Sequence, residues 1–332
     1  MKIRANIQSV ESLQAALEKH QIALYFIGLL LAVSIAVLTP GVRIPPALID
    51  PLLAVMLFAT FLQVPLNELT LTLRETRFLV ALLVTNFVAI PLLVALLLPF
   101  VPAEKTIRTG VLMVLLCPCI DWVVTFARMG GANAALLLAS TPCLLAMQIL
   151  MLPLGLHLFL GSEASRLFQA GPFLHAFIWL IVIPLGLAWS VQEGSKRVAT
   201  IRHVTPVLSL LPVATTALVL FVVTLTILPR LDQDMANILR VLPVYGAFAT
   251  LAPCLGWGLS RLFRLDAPAG RALAFSAGSR NSLVVLPLAL GVSGISSLLA
   301  AIIVAQTMVE LGAELVFIQI IPGFGTKPRK PA

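Results

Sequence analysis

The residues of this chain that could do chemistry sit where the apolar pattern leaves least room for them. In "TGVLMVLLCPCIDWVVTFA" two thiols, Cys117 and Cys119, flank Pro118, and Asp121 follows two positions later. A second interruption, "SAGSRNS", carries Ser276, Gly278, Arg280 and Asn281. A third stretch, "QTMVELGAEL", sets Glu310 and Glu314 one turn apart on one helix face. Closely spaced thiols suit soft ions, trivalent metalloids among them, although buried cysteine is also a small packing residue. A charge at the centre of a membrane-spanning helix costs about 2.5 kcal/mol or more, so an acid or a guanidinium there pairs or lines a pathway. Asp121 and Arg280 are expected to pair or to share one wet pocket. A structural pin between two spans is the plainer reading of such a pair. Glu310, beside Gln306 and Thr307, has the setting of a proton carrier. Glu314 reads as a residue approaching the cytoplasmic interface, since like charges at that spacing repel unless one is protonated or faces water.

The elements that must hold these groups are apolar helices. Of 332 residues, 60% are hydrophobic and 11% charged, with a mean hydropathy of +1.05. Soluble domains carry about 25% charged residues. Runs long enough to cross a hydrocarbon core of about 30 Å recur along the chain. They divide it into ten spans, at 21–39, 51–67, 78–99, 109–127, 132–160, 172–191, 206–228, 241–260, 272–290 and 295–321. The fold class expected is an all-α polytopic membrane protein. Residues 1–20 read as a cytoplasmic amphipathic lead-in rather than a signal peptide, and 322–332 as a cytoplasmic tail. With both termini cytoplasmic, 15 of the 22 Lys and Arg residues fall in cytoplasmic loops, six on the other side, and Arg280 within a span. The pI near 9.9 then reflects loops facing anionic lipid. No basic face interleaved with aromatic residues points to nucleic acid. All four cysteines lie within spans, so no disulfide framework is expected.

Ten spans also divide into two sets of five, 21–160 and 172–321. A shift of 160 residues lays Gly131 on Gly291, Pro118 on Gly278 and Asp121 on Asn281. Spans four and nine are both interrupted at their middles, and an odd number of spans per half inverts the second half. Paired interrupted helices of this kind point to a transporter site near the midplane. Pro118 lacks an N–H and Gly278 lowers the cost of unwinding. Irregular backbone in a membrane survives only where protein or a water-lined cavity satisfies it. Pro91, Pro153, Pro184 and Pro287 read as ordinary kinks. Asn86, Gln63 and Gln148 read as helix-to-helix hydrogen-bonding residues, with cavity lining second.

The blocks "VLLCPCIDWVVTFARMGGANAALLLASTPCLLAMQILMLPLGL" and "DAPAGRALAFSAGSRNSLVVLPLAL", followed by "QTMVEL", resemble the bile acid:sodium symporter superfamily over essentially the whole chain. Within it they most resemble the bacterial arsenic-resistance proteins. The resemblance implies ten helices in two inverted five-helix repeats, with broken spans four and nine crossing. A panel domain of spans one, two, six and seven would rock against a core domain. Sodium-coupled members carry a Glu before a Gln-Asn pair on span nine. Here Ser276 stands for the Glu and Arg280 for the Gln, and only Asn281 is kept. On span four Asp121 stands for an Asn ligand and Ile120 for a hydroxyl residue, while Thr141 keeps one hydroxyl. The resemblance thus implies that Arg280 acts as a tethered cation and that sodium coupling is lost. Arsenite-exporting members carry a functional Cys on span four, which Cys119 or Cys117 resembles. Their Glu on span nine is missing here, with Ser282 or a neighbour in its place.

The expected function is a secondary active transporter of the cell inner membrane that exports arsenite or antimonite, coupled to protons or to the membrane potential through Asp121 or Glu310. With Asp121 engaged by Arg280, Glu310 is the better carrier. The rival is an organic-anion transporter in which Arg280 and the N-termini of half-helices hold a carboxylate. No cofactor is expected. No His-Glu-X-X-His, no paired aspartates on facing spans and no phosphate-binding lysine cluster argues for an enzyme.

Overall fold

The computed structural model describes residues 2–39, 44–45, 48–63, 75–120, 122–161, 178–198, 207–208, 210–227, 235–290 and 297–325. In chain order the helices are α1 (Lys2–Leu38), α2 (Ile49–Gln63), α3 (Thr76–Val84), α4 (Ile90–Leu97), α5 (Lys105–Leu115), α6 (Trp122–Met129) and α7 (Ala134–Leu160). Then follow α8 (Ile183–Arg197), α9 (Leu211–Ile227), α10 (Met235–Leu262), α11 (Ala267–Gly278), α12 (Ser282–Leu290) and α13 (Ser297–Ile320). Among the described residues there is no β-strand. Five segments are long and apolar enough to cross a membrane alone: His20–Leu38, Thr76–Phe100, Ala134–Leu160, Met235–Leu262 and Leu298–Gly323. Pro51–Leu62 and Leu211–Thr226 are shorter apolar helices. Large apolar side chains such as Leu30, Leu92, Leu96 and Leu158 stay exposed on these helices. Contiguous apolar exposure on that scale suits hydrocarbon rather than water.

The lead-in expected at residues 1–20 is not a separate element. Helix α1 runs unbroken from Lys2 to Leu38, because no proline interrupts that stretch and Gly28 is its one glycine. Proline does not break a helix by itself, either. Pro142 and Pro153 lie inside α7, and Pro243 and Pro253 inside α10. Pro91 and Pro184 each follow a widened π-turn, at Thr85–Ala89 and Ile178–Val182. The extra residue of a π-turn relaxes the backbone where the proline N–H is missing. Gln63 and Pro287 have side chains outside the described residues.

The chain forms two compact units. One comprises Met1–Val64, Ala170–Gln233 and Leu290–Ser293. In it α1 packs on α9, and α2 packs on α8 and α9. Ala32, Ala36 and Leu225 form a buried contact there, with Ile35, Ile44 and Phe221 around it. Small residues let the backbones approach: a Cβ on Gly28 would stand 3.2 Å from the Ala217 carbonyl oxygen. The other unit comprises Pro65–Gln169, Asp234–Ala289 and Gly294–Ala332. In it α10 packs on α11, and α13 packs on α5, α6 and α10. A Cβ on Gly256 would meet the Ala277 methyl at 2.7 Å, so glycine sets that α10–α11 approach. This second unit contains both interrupted helices.

Candidate functional site

Helix α5 stops at Leu115 and α6 restarts at Trp122, while α11 stops at Gly278 and α12 restarts at Ser282. The two gaps meet. Pro118 and Arg280 form an isolated antiparallel bridge. The Asn281 N–H donates to the Cys117 carbonyl at 2.9 Å, and the Cys119 N–H donates to the Ser279 carbonyl at 3.2 Å. Each gap therefore supplies the partners that the other lost, which is how non-helical backbone is tolerated inside a membrane protein. Proline fits the first gap because it needs no donor partner at the bridge. The second gap is closed by its own caps. The Ser279 N–H donates to Phe275 at 3.0 Å, and the Asn281 side-chain oxygen accepts from the Val284 N–H at 3.2 Å as α12 begins.

Gly278 serves close approach more than unwinding. Its φ is not in the left-handed region, and a Cβ there would lie 2.8 Å from the Phe317 ring and 2.9 Å from Pro253.

Arg280 is fully buried. Its Nη2 donates to Asn86 Oδ1 at 2.9 Å, to the Ser276 carbonyl at 2.6 Å and to the Ala277 carbonyl at 2.9 Å. Its Nη1 donates to the Leu115 carbonyl at 3.3 Å. Those carbonyls belong to the last turns of α5 and α11. One guanidinium thus satisfies the orphan carbonyls of both half-helices and sits at the negative ends of both dipoles. The Phe248 ring covers it at 5.5 Å. Asn86 is placed by the π-turn Thr85–Ala89, and its amide also donates to Ser276 Oγ at 3.0 Å and to Leu82 at 3.1 Å.

Glu310 ties the two gaps together from α13. Its Oε1 accepts from Trp122 Nε1 at 2.9 Å and from the Arg280 backbone N–H at 3.0 Å, while Oε2 accepts from Gln306 Nε2 at 2.7 Å. Gln306 in turn accepts from Ser282 Oγ at 2.7 Å. Glu314 is fully buried in the protein, and Ser279 Oγ meets its carboxyl. Cys117 and Cys119 are buried cysteines, outside any disulfide, on either side of Pro118. Among the described residues no group of three or more His, Cys, Asp and Glu is placed to hold a metal. Thr141 donates to Leu137 at 3.2 Å, within its own helix. Asp121, the expected partner of Arg280, lies outside the described residues.

The structure thus brings Cys117, Pro118, Cys119, Ser276, Gly278, Arg280, Asn281 and Glu310 into one neighbourhood. It adds Asn86, Trp122, Ser279, Ser282 and Gln306; Asn86 carried a signal as a polar residue within an apolar span, Gln306 as a neighbour of Glu310 and Ser282 by its place on span nine, while Trp122 and Ser279 carried none. Paired broken helices around a buried charge are the arrangement in which transporters hold small solutes near the midplane. No curated protein matches the chain. A sequence family does, over residues 50–230, more than half of the chain and including the first gap. The chain belongs to the Sodium Bile acid symporter family, and is a multi-pass membrane transporter of small molecules.

Proposed function

We propose that the protein exports arsenite or antimonite across the inner membrane, coupled to protons or to the membrane potential and independent of sodium. Ten crossing segments in two inverted sets of five are proposed with it, the gaps α5–α6 and α11–α12 belonging to the fourth and ninth segments, both termini being cytoplasmic. The observation that carries the reading is the buried pair of thiols, Cys117 and Cys119, at the point where the two gaps bond to one another. A neutral trivalent metalloid needs soft ligands and no counter-charge. Such a site also leaves Arg280 free for its structural position. The guanidinium fills its oxygen-lined surroundings as a resident cation, and a second cation there would meet repulsion of several kcal/mol, about 4 kcal/mol at 4 Å with an effective dielectric of 20.

The test is arsenite resistance in cells stripped of their own exporters. The wild-type chain is expected to restore resistance, with Cys117→Ser and Cys119→Ser each weakening it and the double variant abolishing it. Full resistance in the double variant contradicts the thiol role.

The family's namesake substrate favours a second reading, transport of an organic carboxylate. Against a direct hold by Arg280 stands its geometry, since its Nη1 and Nη2 contacts are to carbonyl and amide oxygens. Uptake of a labelled carboxylate that is lost in Arg280→Gln and indifferent to the cysteines supports this second reading.

A further inference from the structure

The two carboxyl groups of α13 differ in their supply of donors. Glu310 receives three, from Trp122, from the Arg280 backbone and from Gln306, so both its oxygens are filled as an anion's would be. Among the described residues Glu314 meets one group, Ser279 Oγ, at Oε1, and its buried Oε2 has no partner. Ser279 is the informative residue. A hydroxyl has one hydrogen, yet this oxygen lies against two acceptors, the Phe275 carbonyl at 2.8 Å and Glu314 Oε1. When the hydroxyl donates to Phe275, the contact with Glu314 requires a hydrogen that only Glu314 can supply. Two buried anions one turn apart also repel. One proton relieves both problems, and Glu314 has the vacant oxygens for it.

We propose that Glu314 is a proton-binding site and that Ser279 transmits its state to the second gap. With the proton bound, Glu314 donates to Ser279 Oγ and Ser279 donates to Phe275. When the proton leaves to water, the hydroxyl turns to the carboxylate, and the Phe275 carbonyl keeps only the Ser279 N–H at 3.0 Å. The bond that secures the end of α11, next to Arg280, is thereby tied to one proton. The site rests on the proton-coupled reading above for its use, and assigns the carrier to Glu314 rather than Glu310.

Several titratable or charged groups lie on the elements packed against α13. Glu310 is on the helix itself. Arg280 is on the second gap, with its guanidinium turned to Asn86 and the carbonyls. Cys117 and Cys119 are on the first gap. On α10, the Tyr245 hydroxyl bonds Ile302, about three turns from Glu314, and Arg240, Cys254 and Arg261 lie elsewhere along that helix. Lys105 and Arg108 open α5, and Arg128 closes α6. Glu310 is the one that shares a turn with Glu314.

Infrared difference spectra of the full chain in lipid nanodiscs test the site without requiring transport. The expected result is a carbonyl stretch from a protonated carboxylic acid at neutral pH. That band should vanish in Glu314→Gln, persist in Glu310→Gln and shift in Ser279→Ala, which removes the hydroxyl that Glu314 donates to. No such band in the wild type, persistence in Glu314→Gln, or loss in Glu310→Gln alone overturns the proposal. If Glu314→Gln does not fold, the Ser279→Ala spectrum decides, an unshifted band counting against it. The arsenite-resistance result stands or falls separately, since the band is read with no substrate present.

Discussion

The two units of the chain differ in how far their buried polar groups reach. In the unit built from α1, α2, α8 and α9, two buried hydroxyls bond within their own helix: Thr215 donates to Leu211 and Thr226 to Val222, both at 2.7 Å. Gln192 departs from this, reaching the last carbonyls of α2 at Phe61 and Leu62. The other unit has such own-helix bonds too, at Thr141 and Thr307, but there several bonds also cross between elements far apart in sequence. Arg280 reaches Asn86, Trp122 reaches Glu310, and Ser279 reaches Glu314. The first arrangement asks little of its neighbours, so apolar packing can be changed around it. The second fails as a whole when one member is lost, because an unpaired polar group in low dielectric has no water to replace its partner. The unit containing the helix gaps is therefore where a substitution should remove both function and stability.

The largest effect is expected from Arg280→Gln. It removes the one group that satisfies carbonyls of both α5 and α11, and hydrogen bonds to a charged group contribute about 1.5–3 kcal/mol each. Transport should disappear, and the purified protein should lose about 3 kcal/mol in denaturant unfolding. Retention of stability at that position would dissolve the contrast between the units. Asn86→Ala comes next. It takes one acceptor from Arg280 Nη2, which keeps the Ser276 and Ala277 carbonyls, and removes the amide donor to Ser276 Oγ, at a cost of about 2 kcal/mol, and transport should fall while the fold persists. Gly278→Ala sharpens the comparison sterically: its methyl meets Phe317 and Pro253, and overpacking of this kind costs about 1–3 kcal/mol, read as a lower Tm. The smallest effect belongs to the other unit. Thr215→Val removes a hydroxyl whose carbonyl partner keeps its helical bond, so unfolding should change by about 0.5 kcal/mol or less. A loss matching that of Asn86→Ala would mean that buried hydroxyls there carry more than their own helix shows.

The gaps were legible in the sequence because local chemistry creates them. Pro118 among thiols and the run Ser276–Ser282 are poor helix formers whatever the rest of the chain does, and the structure has a gap at each, the second confined to Ser279–Asn281. The apolar runs were equally plain, since twenty consecutive apolar residues have few alternatives to a helix in or against hydrocarbon. What was not legible depends on which element lies beside which. Nothing near Trp122 says that its indole will meet Glu310, 188 positions away. Nothing near Glu314 says that Ser279 will arrive beside it from another element. The π-turn at Thr85–Ala89 escaped notice for a related reason: Pro91 signals a disturbance but not its form, and the wider turn brings Asn86 to Arg280. The pairing of Asp121 with Arg280 concerns a residue outside the described ones; the bonds found for the Arg280 guanidinium run to neutral oxygens.

The central claim is that Arg280 is a built-in cation at the junction of the two gaps, so that no sodium ion is needed there. Purified protein in proteoliposomes, given a sodium gradient and a proton gradient in separate experiments, tests it most directly with arsenite as the solute. The account predicts arsenite flux that follows the proton gradient or the membrane potential and ignores sodium. Flux driven by the sodium gradient alone, with Arg280 in place, would contradict it.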